Sequence, residues 1–182
     1  MRNTILARRY AKALFALGKE QGRVDEYSDL LGGLARLYDD PEAGIGEALT
    51  NPLYPLEIRQ KMMAKIAASV QADAIMASFL NLLIEKKRAD ILPEIADALQ
   101  AMVDADQHIS HGTVVSAVEL GDDTKEKIQD TLEKITGNKV ILQTEVDQSI
   151  IGGIIAKVGD LVLDGSIRTQ LNGLKESIKG RE

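Results

Sequence analysis

The stretch that most limits the fold lies between Gly152 and Ser166. Two runs of β-branched and aliphatic residues, Ile154–Val158 and Leu161–Leu163, are separated only by Gly159-Asp160. A two-residue link of this kind predicts a tight hairpin, because glycine tolerates the positive φ that such turns require. Asp164-Gly165-Ser166 then ends the second strand, and either Asp164 or Ser166 can cap a following helix. Gly152-Gly153 lets the backbone bend where the first strand begins. The last part of the chain must therefore build a sheet edge and a helix, with no side chain poised for chemistry.

The N-terminal half is written in a different period. Ile5 to Leu17 predicts a helix that stops between Gly18 and Gly22. Its apolar residues form two tracks, Leu6, Tyr10, Ala13, Leu17 and Ala7, Ala11, Leu14/Phe15. A surface helix needs only one such stripe. The helix is thus either central and wrapped on all sides, or it buries one track and offers the other to a partner. Val24 to Tyr38 predicts a second helix, ended by Asp39-Asp40-Pro41, and Glu42–Leu49 a short third one weakened by Gly44 and Gly46. Pro55 opens a fourth, with Ile58, Met62, Ile66 and Val70 as its i, i+4 stripe and the methionines as core filler. Asp73–Lys87 reads as a fifth helix, apolar except for a strip of Ser78, Asn81 and Glu85. Such a helix is fully buried or covered by another chain. Lys86-Lys87-Arg88 falls at its C-terminus, where cations complement the helix dipole. Asp90 is expected to cap a sixth helix with Pro93 in its first turn and Leu92, Ile95, Leu99 and Met102/Val103 inward. Six amphipathic helices with short links make a compact bundle.

Asp104–His111 switches from helical period to strand content. His108 and His111 with Asp104 and Asp106 are a poor metal set, since no Cys or further His completes it, and a solvated connector is the better reading. Gly112–Glu119 predicts a strand, Asp122 or Asp123 the cap of a helix with Ile128, Leu132 and Ile135 inward, and Gly137 its C′ residue. Lys139–Val146 alternates, with Val140, Leu142, Thr144 and Val146 on one face. The first two strands are then joined by a helical crossover. The fold class expected is mainly α: a six-helix bundle over residues 1–105, a connector at 106–111 and a small α+β domain over 112–182.

Several functions are disfavoured. A net charge of −6 argues against a dedicated nucleic-acid binder. The absence of cysteine removes disulfides, thiolate metal sites and cysteine nucleophiles, and fits a reducing compartment. Ala74–Ile84, the most apolar run, is too short to span a bilayer, and no secretory h-region follows Met1. Gly152-Gly153 has neither the P-loop nor the dinucleotide spacing. No nucleophile is paired with a base, and the carboxylate pairs Asp39-Asp40 and Asp122-Asp123 sit at helix ends. An enzyme would need a polar pocket with convergent groups. The residues alone therefore favour a non-catalytic adaptor, with no metal or cofactor.

Two motifs sharpen this. The order Gly152-Gly153, Gly159-Asp160, an apolar trio, then Asp164-Gly165-Ser166-Ile167-Arg168 resembles the C-terminal signature of the delta subunit of bacterial F-type ATP synthase, a family related to the mitochondrial oligomycin-sensitivity-conferring protein. Ala7-Arg8-Arg9-Tyr10-Ala11-Lys12-Ala13-Leu14-Phe15 is similar to that family's N-terminal motif. The resemblance implies a stator subunit that links the catalytic head to the peripheral stalk, on the cytoplasmic face of the bacterial inner membrane and without bilayer insertion. It implies that the bundle receives N-terminal helices of alpha subunits, and that the C-terminal domain engages the end of the b-type stalk subunits. Carried onto this chain, the groove between the first and fifth helices places Tyr10, Ala13, Leu14, Phe79 and Leu82 at the alpha contact. The alternative is an adaptor or scaffold of another multi-protein assembly.

Overall fold

The computed structural model describes residues 2–179. Contacts divide the chain between Val103 and Asp104 into two compact units. The first holds six helices: α1 (Arg2–Gln21), α2 (Val24–Asp39), α3 (Ile45–Thr50), α4 (Leu56–Ser69), α5 (Ala74–Glu85) and α6 (Leu92–Asp106). The second carries β1 (Ile109–Ser116), α7 (Asp122–Thr136), β2 (Lys139–Val146), β3 (Ile154–Val158), β4 (Leu161–Asp164) and α8 (Ile167–Lys179). The architecture is mainly α with a C-terminal α+β part, as the periodicity predicts.

The helical unit packs around one core, with Leu14, Tyr27, Leu31, Met63, Met76, Leu80, Leu83, Ile95 and Leu99 fully enclosed. Its polar anchor is Asp73. That carboxylate caps α5 by accepting the Met76 N–H at 2.8 Å. It also accepts the Tyr27 hydroxyl at 2.6 Å and an Arg23 N–H at 2.8 Å, both from the start of α2. Burial works against the Asp73 charge, yet the donated hydrogen bonds and Arg23 outweigh it and hold the carboxyl below its ordinary value. Burial and the same carboxylate push Tyr27 up to about 12. A second tie joins α2 to α6, where the buried Ser28 hydroxyl donates to Gln100 Oε1 at 2.7 Å.

Several local expectations need correction. The enclosed stripe of α4 is Arg59, Met63 and Ala67, one residue beyond the expected Ile58, Met62 and Ile66; Ile58 is exposed. The flanking alanines make both faces of α4 apolar enough that the pattern does not choose between them. Asp90 does not cap α6, because a 3-10 turn over Ala89–Ile91 leads directly into it. The third helix begins at Ile45, behind Gly44 in the left-handed region, and not at Glu42.

In the second unit the sheet order is β2-β1-β3-β4. β1 and β2 run parallel from Ile109↔Lys139 to Ser116↔Val146, which requires the α7 crossover. β1 pairs antiparallel with β3, and β3 with β4, through the Gly159-Asp160 turn. Leu132 of α7 closes on Val114, Val140, Ala156 and Val158 to form the small core. Ile135 is exposed, as are Thr144 and Val146 at the far end of β2, so the inward faces expected there are shorter than their patterns. Gly121, not Asp122 or Asp123, takes the N-cap position of α7, and Gly137 ends it with φ +72°. β1 starts at Ile109, earlier than the expected Gly112, so that of residues 106–111 only Gln107 and His108 lie outside an element.

The glycine-rich signature is a folding device. Gly153 has φ +82°, and a Cβ there would stand 2.2 Å from the Gly165 carbonyl oxygen. Asp164 and Ser166 share the capping of α8: Asp164 accepts the Ser166 N–H at 2.9 Å and the Thr169 hydroxyl at 2.8 Å, while Ser166 accepts the Thr169 N–H at 3.2 Å.

Two outcomes follow. Gly153→Ala should cost the C-terminal unit about 2 kcal/mol or more, from left-handed strain plus a backbone clash, measured by urea unfolding. The Asp73 cluster sets limits at both ends of the pH scale. A depressed carboxyl contributes stability above its unfolded pKa and loses it as pH falls through the folded value. Acid should therefore erode the helical unit below about pH 4. A raised tyrosine contributes below its unfolded pKa near 10 and loses that contribution towards pH 12. In Tyr27→Phe the alkaline loss should shrink, the part due to Tyr38, also raised by burial, remaining, and neutral stability should fall by about 1–3 kcal/mol. Unfolding midpoints recorded across pH would show both.

Candidate functional site

The two tracks of α1 have different fates. Ala7, Ala11 and Leu14 are fully enclosed, and their small side chains let α1 lie close against the bundle. Leu6 and Tyr10 on the other track are half-buried, while Ala13 is exposed and Leu17 is 40 % exposed. One track holds the helix; the other forms a seam at the surface.

Across that seam lies α5. The Tyr10 and Phe79 rings meet edge to face, with centroids 6.3 Å apart and planes at 74°, a favourable aromatic geometry. Phe79 is nearly enclosed by this contact, whereas Leu82, one turn further along α5, is 38 % exposed. The solvent arc of α5 consists of Ala74, Ser78, Asn81, Leu82 and Glu85. Leu82 is thus the large apolar side chain on an otherwise polar or small strip, placed beside the Tyr10–Phe79 pair.

Of the five residues expected at the partner contact, Tyr10, Phe79, Ala13 and Leu82 belong to the seam or its floor. Leu14 points into the core and is 0 % exposed, so its role is to seat α1. Leu17, which the i, i+4 spacing places four positions after Ala13 on the same track but which is not one of those five, is also open to solvent. The basic side chains of Arg8, Arg9 and Lys12 line the neighbouring surface of α1 with Thr4 and Ile5.

The second unit offers a different surface. An apolar groove of about 370 Å³ opens between α7 and the sheet, lined by Ile128, Leu132, Ile154, Ala156 and Leu163. Near the signature, Ile151, Ile167 and Leu171 are also exposed. His111 Nε2 lies 3.1 Å from Asp104 Oδ2, which gives that histidine a carboxylate partner. Among the described residues no three His, Cys, Asp or Glu side chains gather as a metal set, and no helix is long and apolar enough to cross a membrane. What the geometry offers is apolar contact surface on two separate units.

Comparison with known proteins agrees at full length. Residues 6–178 match the family model described as the ATP synthase delta (OSCP) subunit. The ATP synthase subunit delta of Desulfotalea psychrophila is 64% identical over 183 residues, covering 100% of both chains. That of Desulfosudis oleivorans is 44% identical, covering 100% of this chain and 99% of the relative. A chain in the mitochondrial ATP synthase hexamer of Toxoplasma gondii has the same fold, with a TM-score of 0.71 at 20% identity, covering 95% of this chain and 97% of its own.

The sorting of α1 into a holding and an offered track can be checked by stability alone. Leu14→Ala should cost about 2–5 kcal/mol, whereas Leu17→Ala should stay within about 1 kcal/mol in the same denaturant titration.

Proposed function

We infer function from one premise: this chain belongs to the ATP synthase delta (OSCP) subunit family. It is a non-catalytic subunit of an F-type ATP synthase and serves the stator, which joins the catalytic head to the peripheral stalk. Torque from the rotor would spin the head without useful work unless something tied it to the membrane sector. The chain acts by holding.

The helical unit grips the head through the α1–α5 seam, which takes an amphipathic N-terminal helix of an alpha subunit. The observation that carries this is the half-used α1: its Ala7, Ala11, Leu14 track is enclosed, while Leu6, Tyr10, Ala13 and Leu17 border solvent and Tyr10 meets Phe79 of α5, one turn before the exposed Leu82. An incoming helix laid along such anchors at i, i+3 and i+4 would bury its own apolar stripe against them. Tyr10 supplies rigid aromatic area at low entropic cost, as hot-spot tyrosines do, with the enclosed Phe79 ring supporting it edge to face. The C-terminal unit engages the end of the b-type stalk subunits, and the groove between α7 and the sheet is its apolar offer. Two modest contacts on one chain act through effective concentration, so the tether can be firmer than either alone. In this reading the protein sits at the cytoplasmic face of a bacterial inner membrane and meets the membrane sector through protein.

Calorimetry with a peptide of the alpha-subunit N-terminus tests the seam. Leu82→Asp and Tyr10→Asp, each shown to be folded by circular dichroism, should weaken binding by roughly tenfold or more, since each places a charge against apolar surface. Unchanged affinity in both folded variants would remove those residues from the contact.

A further inference from the structure

Arg59 is the anomaly of the helical unit. It heads the inward stripe of α4, one turn before Met63, is only 8 % exposed, and its Nε–H is buried without a hydrogen-bond partner. No ion pair of Arg59 occurs among the described residues. A guanidinium cannot discard its proton at any working pH, so a buried and uncompensated one opposes folding. Natural cores avoid that cost unless the charge has a use.

The side chain borders a pocket of about 330 Å³. Its floor is Leu49, Ile84, Ala89 and Arg59, all enclosed, and its rim is Thr50, Pro52, Lys87 and Asp90, all exposed. Lys87 brings a second cation at some conformational expense. The Arg88 N–H donates to the Leu83 carbonyl at 2.8 Å and the Lys87 N–H to the Ile84 carbonyl at 3.0 Å, the paired bonds that close a helix through a left-handed residue. That residue is ordinarily glycine; here Lys87 holds it at φ +56°. Gln71 closes α4 in the same way, and Lys87 is the one of the two that lines this pocket.

We propose that the pocket walled by Arg59 and Lys87 is a carboxylate receptor, taking the acidic side chain of an aspartate or glutamate on a protein docked to the helical unit. Three features select a carboxylate. The two Nη groups, the part of the guanidinium not closed off like Nε, form a planar end-on fork that matches two carboxylate oxygens. Asp90 on the rim offsets one of the two cations, which suits a singly charged group and penalises a phosphate dianion. The apolar floor of Leu49 and Ile84 accepts the methylene stem of the incoming residue. The site lies at the C-terminal end of α5 and uses none of the α1–α5 seam residues, so it stands independently of the seam assignment.

The test uses the full chain and glutamate blocked at both backbone ends, with blocked glutamine at equal ionic strength as control. Blocked glutamate should move the Arg59 Nε–H resonance saturably, and blocked glutamine should not. Arg59→Met should weaken binding tenfold or more by calorimetry and, because a buried cation without an ion pair is removed, raise the thermal midpoint. Lys87→Gly should likewise raise the midpoint, by relieving the left-handed strain, while weakening binding. Gains in stability with losses in binding mark a binding site; a structural role would lower both. Glu94, whose Oε2 is also buried without a partner, is the internal competitor. If Arg59→Met and Glu94→Gln both lower the midpoint and their effects are strongly non-additive, the two residues pair with each other and the proposal fails. It fails equally if inorganic phosphate binds more tightly than blocked glutamate, or if no titrant moves the Arg59 resonance.

Discussion

The helical unit depends on how the Asp73 carboxylate is satisfied. One side chain caps α5 through the Met76 N–H and receives Tyr27 and Arg23 from the start of α2, so the start of one helix is bound to the start of another. A carboxylate taken this far out of water is stable only with its donors in place. With α5 anchored, Met76, Leu80, Leu83 and Ile84 fill the core, and Phe79 is left at the margin to meet Tyr10. The exposed seam is therefore a consequence of core packing. α1 contributes its Ala7, Ala11, Leu14 track to the bundle, and what remains of its apolar surface is open to solvent.

The C-terminal unit solves a different problem with the same economy of chemistry. Its sheet is small, its core rests on Leu132 and four strand residues, and much apolar surface around Ile151, Val162 and Leu171 faces solvent. Gly153, Asp164 and Ser166 shape the entry to the hairpin and the start of α8, through a backbone that no side chain at 153 would fit and a shared cap. The residues that identify the family here are those that fix the backbone. The surfaces suited to partners are built by less distinctive leucines and isoleucines.

Legibility in the sequence followed the strength of local rules. Turn chemistry and strict alternation placed β2, β3 and the hairpin at their true positions, and the two tracks of α1 were visible as spacing. Which track is buried was not, since Leu14 and Leu17 look alike until α2 and α5 are packed against one of them. The stripe of α4 was misplaced by one residue for the same reason: alanines on both sides leave tertiary packing to decide, and it encloses Arg59 in place of Ile58. The 3-10 turn before α6 replaced an expected aspartate cap because the chain arrives from α5 already tightly turned. An arginine buried without a partner runs against every pattern a sequence reading relies on, and only the packed structure reveals it.

The central claim is that the seam between α1 and α5 transmits holding force between head and stalk. It is tested most directly by adding the protein back to membranes and catalytic heads stripped of it and recording ATP-driven proton pumping. The unmodified chain should restore pumping, and a folded Leu17→Asp variant should leave ATP hydrolysis running with pumping largely uncoupled. Full pumping with that variant, or none with the unmodified chain, would contradict the account.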